Sequence, residues 1–497
     1  MSKSKRYQLE KKIIVFLSSG LFAISGFCAG DVYAAAVFAD GTGTNSTVAG
    51  VNNNASGENT NAVGYNNHAI SDNSNAIGAN NQALAEDSNA IGSKNNTYAN
   101  ESNAIGSGNI TNGIGSNAIG KDNVANGLDS NAFGTANKAN SDNSNAFGTG
   151  NLADGIGTSA FGYLNNVSGN ESVAFGFTNT ISAAEAVAMG RNNQVIATGG
   201  SAIGNNNQAM AMYSTAIGND NYAIGENSSA IGLGNNITAN DATALGNKNT
   251  ASGISAGAVG ISNTASGNNA QAFGYLNEAT AQDSQAFGAQ NKATERYASA
   301  FGHENEAKAY AGSALGVKNI VTGNFASAVG YENTAANYLA NAIGTSNVAS
   351  GAYANAYGVY NEATASYASA FGYGNKVGGE HAIASGYNNN IAGNFASAFG
   401  TENTVSNIRS AAVVSGEISN AFGYNNTASG NYTNAIGYNN QAQAFASSAI
   451  GYQNKATASA VSASAVGRSN EVSNEYANAF GALNKASGSS SSAFGVN

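Results

Sequence analysis

Residues able to act as acids, bases, metal ligands or nucleophiles are few in this chain and widely scattered. The histidines, His68, His303 and His381, are far apart in sequence, whereas a metal or proton-relay site needs such groups gathered together. They read as solvated surface residues. Acidic side chains such as Asp72, Glu86 and Asp87 carry no mark of the cleft that paired-carboxylate glycoside cleavage requires. A phosphate loop of the form G-x-x-x-x-G-K-S/T is missing, as is the Gly-Gly-x-Gly-x-Asp nonapeptide that binds calcium. Residues 405–422 interrupt the surrounding pattern, but that stretch offers Arg409 and Glu417 without any His, Cys or Asp. We therefore expect no catalytic residues, no cofactor and no metal. Aromatic residues are the more promising groups. Tyr163, Tyr275, Tyr331, Tyr373, Tyr387, Tyr424, Tyr438 and Tyr452 all sit just after the repeat glycine, and Tyr297, Tyr310, Tyr338, Tyr353 and Tyr367 lie on the later arc of the coil. Rows of exposed aromatics can serve recognition. Edge packing between neighbouring units is the plainer expectation for them.

What would position these groups is a repeat. Glycines recur every 14 residues from Gly64, Gly78, Gly92 and Gly106 to Gly400, 25 in all. The register then breaks, resumes at Gly423, and takes up two extra residues before Gly467. Two residues before each regular glycine stands Ala. One before it stands a large apolar residue, among them Ile77, Ile91, Ile105, Phe133, Phe147, Ile203, Ile217 and Phe287, with Ser385 the exception. Three after it stands Asn, as in Asn67, Asn81, Asn95 and Asn109. A 14-residue unit is too short for a helix pair or a propeller blade. It suits one coil of a narrow β-solenoid, with small and large residues alternating at the strand period of two. The recurrent Asn predicts an amide ladder from coil to coil, and the glycine a close backbone approach or an unusual backbone angle. So small a coil can enclose only the Ala–Gly row. The large row must face outward, far more apolar surface than a soluble monomer normally shows. Chains should therefore associate along it, parallel and in register.

Composition agrees. The chain has 63 Gly, no Pro and no Trp, with 10% charged residues, a bias typical of repetitive scaffolds. Its net charge of −10 argues against nucleic acid as a partner, which needs a basic face, and against unaided binding to anionic membranes. At the N-terminus Lys3, Lys5, Arg6, Lys11 and Lys12 precede an apolar run from Ile13 to Phe27 and small residues at Ala34 and Ala36. That is the pattern of a cleaved export signal, and the run is too short to span a bilayer. Cleavage after Ala34 or Ala36 would remove Cys28, the sole cysteine. The expected organisation is a signal peptide at 1–34, a lead-in at 35–49, regular repeats over 50–404, an irregular insertion at 405–422 and further repeats over 423–497.

The segment Asn75-Ala76-Ile77-Gly78-Ala79-Asn80-Asn81-Gln82-Ala83 resembles the head repeat of trimeric autotransporter adhesins, the YadA-like or haemagglutinin-type heads of Gram-negative bacteria. Ser201-Ala202-Ile203-Gly204 and Ser448-Ala449-Ile450-Gly451 resemble it too. The likeness covers about residues 50 to 497. It implies an all-β, left-handed parallel β-roll assembled as a parallel homotrimer, the large row at the trimer axis. It also implies a head that binds host cells, matrix proteins or glycans at the bacterial surface. Phe appears often here in the large row, where Val and Ile are more usual in the family. Such heads usually continue into a neck, a coiled-coil stalk and a barrel anchor. No heptad run or set of barrel strands is visible here, and the last unit, Ser492 to Asn497, stops mid-coil. The sequence thus reads as part of a longer adhesin, with no direct membrane insertion of its own. A structural spacer or protective filament without a specific ligand is the alternative.

Overall fold

The structure is a computed structural model in which residues 38–405 and 418–497 are described. The export signal and residues 406–417 of the insertion lie outside the described residues. Among those described there are strands and turns and no helix. The fold is a parallel β-solenoid of about 31 turns with 14-residue coils. It divides into two compact units, one ending at Asn109 and the other beginning at Ile110.

In the first unit the coil around Gly78 shows the local logic. Strand Asn75–Ala79 points Ala76 inward, fully buried, and leaves Ile77 more than a third exposed. Asn80 then adopts a left-handed turn with φ of 56°, which swings Asn81 into the interior. The short strand Gln82–Ala83 follows, with Ala83 buried. A second left-handed residue, Asp87 with φ of 54°, leads to the buried Ser88 and the next coil. Strand Asn89–Ser93 pairs in parallel with Asn75–Ala79, setting Ala76 against Ala90, Ile77 against Ile91 and Gly78 against Gly92.

The left-handed turns have a hydrogen-bonding cause. Strand amides donate forward, as when the Asn75 N–H reaches the Ser88 carbonyl at 2.9 Å. Left-handed residues donate backward, the Asn80 N–H to the Tyr65 carbonyl at 2.8 Å and the Asp87 N–H to that of Asp72 at 3.0 Å. Pairing between coils holds these residues in place, so the position accepts side chains as unsuited to it as Leu164, Tyr213 and Phe325. The repeat glycine is under a harder constraint. Gly78 has φ of 118°, and a Cβ on it would lie 1.9 Å from the Gly92 carbonyl oxygen.

The first unit opens with strand Phe38–Asp40, which runs antiparallel to Thr47–Val51 and covers the edge of that coil. A sheet edge left open invites pairing with other chains.

The second unit repeats the same coil. Its interior is again mainly Ala, with Val195, Val321 and Ile237 at some short-strand positions. Extra volume there is balanced by small partners: a Cβ on Gly200 would come 2.7 Å from Val195 Cγ1, and one on Gly312 would come 2.8 Å from Val321 Cγ1. The ladder also carries across the irregular stretch. Ser397–Thr401 pairs in register with Asn420–Tyr424, and the first short strand of that pair ends at Val405. The two extra residues before Gly467 are absorbed in a turn, and Ser448–Tyr452 still pairs in register with Ser464–Arg468.

Candidate functional site

Inside each coil the Asn after the repeat glycine makes every bond its amide can offer. In the first unit Asn81 Nδ2 donates to Asn67 Oδ1 at 2.9 Å, to the Ile77 carbonyl at 2.9 Å and to the Gly92 carbonyl at 2.8 Å. Its Oδ1 accepts the backbone N–H and Nδ2 of Asn95, each at 3.0 Å. Asn109 joins the same ladder through Asn95 Oδ1 at 2.9 Å. In the second unit Asn221 repeats the pattern with Asn207, Ile217, Gly232 and Asn235. These residues are buried. The Asn row is therefore a structural core, not a surface for ligands.

The large row faces out. Ile77 is the most exposed of the eight singled out in the sequence. Ile91, Ile105, Phe133, Phe147, Ile203, Ile217 and Phe287 are half-buried, each covered in part by its neighbours in the row. Phe133 stacks on Phe147 at 4.8 Å between ring centroids, and Phe147 on Phe161 at 5.1 Å. Phe273, Phe287 and Phe301 stack at 4.9 and 5.0 Å. Phe175, Leu315 and Leu245 remain about half exposed. Stacking within one chain covers the ring faces and leaves the outer edges of the row uncovered. Ser385 interrupts it between Phe371 and Phe399.

The tyrosines next to the repeat glycine form short ladders of their own. Tyr163 stacks on Phe177 at 4.8 Å, with the Arg191 guanidinium 5.6 Å from the Phe177 ring centroid. Tyr424, Tyr438 and Tyr452 stack at 5.1 and 5.0 Å. Two of these phenols ionise above their ordinary range: Tyr331, which hydrogen-bonds the Glu332 carboxylate, and Tyr424, beside the charge of Glu402.

The second tyrosine set belongs to a longer ladder on the turn before the long strand. Tyr297, Tyr310, Phe325, Tyr338, Tyr353, Tyr367, His381 and Phe395 touch in succession, at centroid separations between 4.4 and 5.8 Å. The sequence reading took His381 for an isolated surface residue and did not include Phe325 or Phe395. All three fall on the 14-residue register, which could have identified them. His381 is exposed but lies face to face between Tyr367 and Phe395. The ladder is built from residues ill suited to its turn. Tyr297, Phe325, Tyr353, Tyr367, His381 and Phe395 all sit at positive φ, at a cost of about 1–2 kcal/mol each. Ring pairing returns about 0.5–1.5 kcal/mol per contact. The two nearly cancel, so stability gives no clear reason for the choice of aromatics.

His68 is half-buried in the first unit, and His303 in the second is exposed beside Glu304. Asp72, Glu86 and Asp87 are exposed on a turn. Ion pairs such as Lys376–Glu362 at 3.4 Å and Lys485–Glu471 at 3.5 Å join neighbouring coils at the surface, where such pairs add little. Among the described residues no three His, Cys, Asp or Glu side chains gather as metal ligands. Among the described residues no helix is long and apolar enough to cross a membrane.

The coils thus combine a saturated polar core with an apolar row that their own chain leaves partly uncovered. The known-family comparison makes the class specific: residues 42–67, 153–178, 211–235, 279–305, 363–389 and 419–440 each match the YadA head domain repeat. These matches, spread along the chain, support a YadA-like trimeric autotransporter adhesin head. No curated protein matches it.

Proposed function

We propose that this chain is the adhesive head of a bacterial surface filament, a non-enzymatic homotrimer that attaches cells to host surfaces, matrix proteins or other bacteria. The observation that carries the reading is the large apolar row, repeated in every regular coil but one and left partly open by its own chain. Burying such a side chain is worth about 1.5–3 kcal/mol, so joining three rows along a common axis would be strongly favoured. The outward turns of each coil would then be offered many times over, and repetition turns weak contacts into firm attachment. Export fits this use: the chain recovered from a Gram-negative host is expected to begin near Ala35 or Val37 by N-terminal sequencing.

The test is binding of the purified full chain to immobilised matrix proteins and to cultured cells. Saturable binding whose apparent affinity climbs steeply with coil number is expected. Failure across a broad panel of proteins, glycans and cell types would favour the spacer reading instead.

A further inference from the structure

The aromatic ladder of the second unit changes its geometry along its length. Tyr353, Tyr367, His381 and Phe395 lie nearly parallel, with interplanar angles of 4°, 5° and 9°. Their ring faces are covered by one another. Before Tyr353 the ladder becomes a herringbone. Tyr338 stands at 77° to Tyr353 and 86° to Phe325, and Tyr310 at 75° to Phe325 and 86° to Tyr297. Tyr338 and Tyr310 are each nearly perpendicular to both ring neighbours, out of the face-to-face stack that continues from Tyr353. Their faces are turned aside from their neighbours in the row, and both residues are exposed. They sit two coils apart, about 10 Å at the usual strand spacing.

These two tyrosines also replace something useful. At their position other coils place an Asn or Asp whose side chain accepts a backbone N–H from the preceding coil, as Asp142 does from Leu128 at 2.9 Å and Asn170 from Ile156 at 3.0 Å. Tyr310 and Tyr338 give up that acceptor. The surroundings are polar but nearly neutral. Thr322, Asn324, Asn337 and Ser350 line the turn, and its charged residues, Glu295, Arg296, Lys308 and Glu380, cancel.

We propose that this herringbone is a stacking site for an extended, uncharged, β-1,4-linked glycan. The inference rests on the adhesive reading above and names one partner class for it. In such a chain successive pyranose rings turn over, so every second sugar offers the same face, and here every second coil offers a phenol face. Apolar sugar faces pack on aromatic faces, while the Asn, Ser and Thr side chains meet sugar hydroxyls. The chain's net charge of −10 and the neutral turn disfavour acidic glycans.

The test uses the full chain with the β-1,4-linked hexamer of N-acetylglucosamine as probe and an α-1,4-linked glucose hexamer as control. Binding is read by isothermal titration calorimetry, which does not depend on the tyrosines being substituted. Saturable binding of the β-linked hexamer only is expected. It should weaken at least about tenfold, a loss of 1.4 kcal/mol, in the double variant Tyr310→Ala/Tyr338→Ala, be kept in Tyr310→Phe/Tyr338→Phe, and be unchanged in Tyr65→Ala. Melting curves of the variants check that the coils remain folded. Binding that ignores the double alanine variant would overturn the proposal. So would a change in oligomeric mass caused by that variant, which would make the ladder a contact between subunits. Loss of matrix-protein binding in that variant, without any glycan binding, would assign the strip to a protein and also overturn it. If the hexamer fails while cells and matrix proteins still bind, the glycan proposal falls and the adhesive reading stands; if nothing binds, both fall.

Discussion

The inner Asn row and the outer large row run through the same coils and solve their needs differently. Asn221 spends its amide entirely within its own chain, on two carbonyls and two neighbouring Asn side chains. Four residues earlier, Ile217 meets only Ile203 and Ile231 in its row and keeps an open side. The polar interior is complete in one chain, and the apolar exterior is not. Substitutions inside should therefore damage the coil itself, and substitutions outside should damage what the coil does with partners.

The largest effect is expected from Gly218→Ala. Its Cβ would lie 2.0 Å from the Gly232 carbonyl oxygen, at φ of 119°. A loss of about 4 kcal/mol or more should result, read as increased hydrogen exchange in the coils on either side, since stacked repeats feel damage locally. Asn221→Ala comes next. It leaves the Ile217 and Gly232 carbonyls and the neighbouring Asn groups short of a partner, at about 2–4 kcal/mol, with the same local signature. If either variant melts like the wild type, the interior is not the self-contained core described.

Smaller effects belong to the exterior. Tyr367→Ala removes ring contacts with Tyr353 and His381 and relieves part of the cost of a bulky residue at positive φ. A net change within about 1 kcal/mol is expected from thermal melting. The smallest concerns titration. Tyr331 and Tyr424 should ionise above the ordinary phenol value of about 10 in a spectrophotometric titration, each beside a carboxylate, Glu332 and Glu402. Glu332→Gln should bring Tyr331 back toward that value, because the carboxylate that disfavours phenolate would be gone.

Much of this was legible in the sequence because a 14-residue coil imposes one environment on each position. Ala76, Ala90 and their equivalents had to be inside, Ile77 and Phe133 outside, and Asn67 to Asn109 had to stack. Three features were not legible. The left-handed turns left only a weak composition signal, since inter-coil pairing holds Leu164 or Phe325 there as well as Asn80. The clamp of each Asn on two backbone carbonyls depends on that turn carrying it inward. The covering strand Phe38–Asp40 is too short, and too unlike the repeat, for its pattern to mark it. On the turn before the long strand the tyrosines were visible as a set, but the change from parallel stack to herringbone depends on one-residue shifts such as Tyr310 for position 311, which only the structure turns into geometry.

The uncovered apolar row is the centre of the whole reading, and its most direct test is the mass of the exported chain in solution by light scattering. Three chains per particle are expected, with Ile203→Asp/Ile217→Asp weakening the assembly because unpaired charges would be buried along the shared axis. A stable monomer at every concentration, unchanged in mass and melting by those two substitutions, would contradict it.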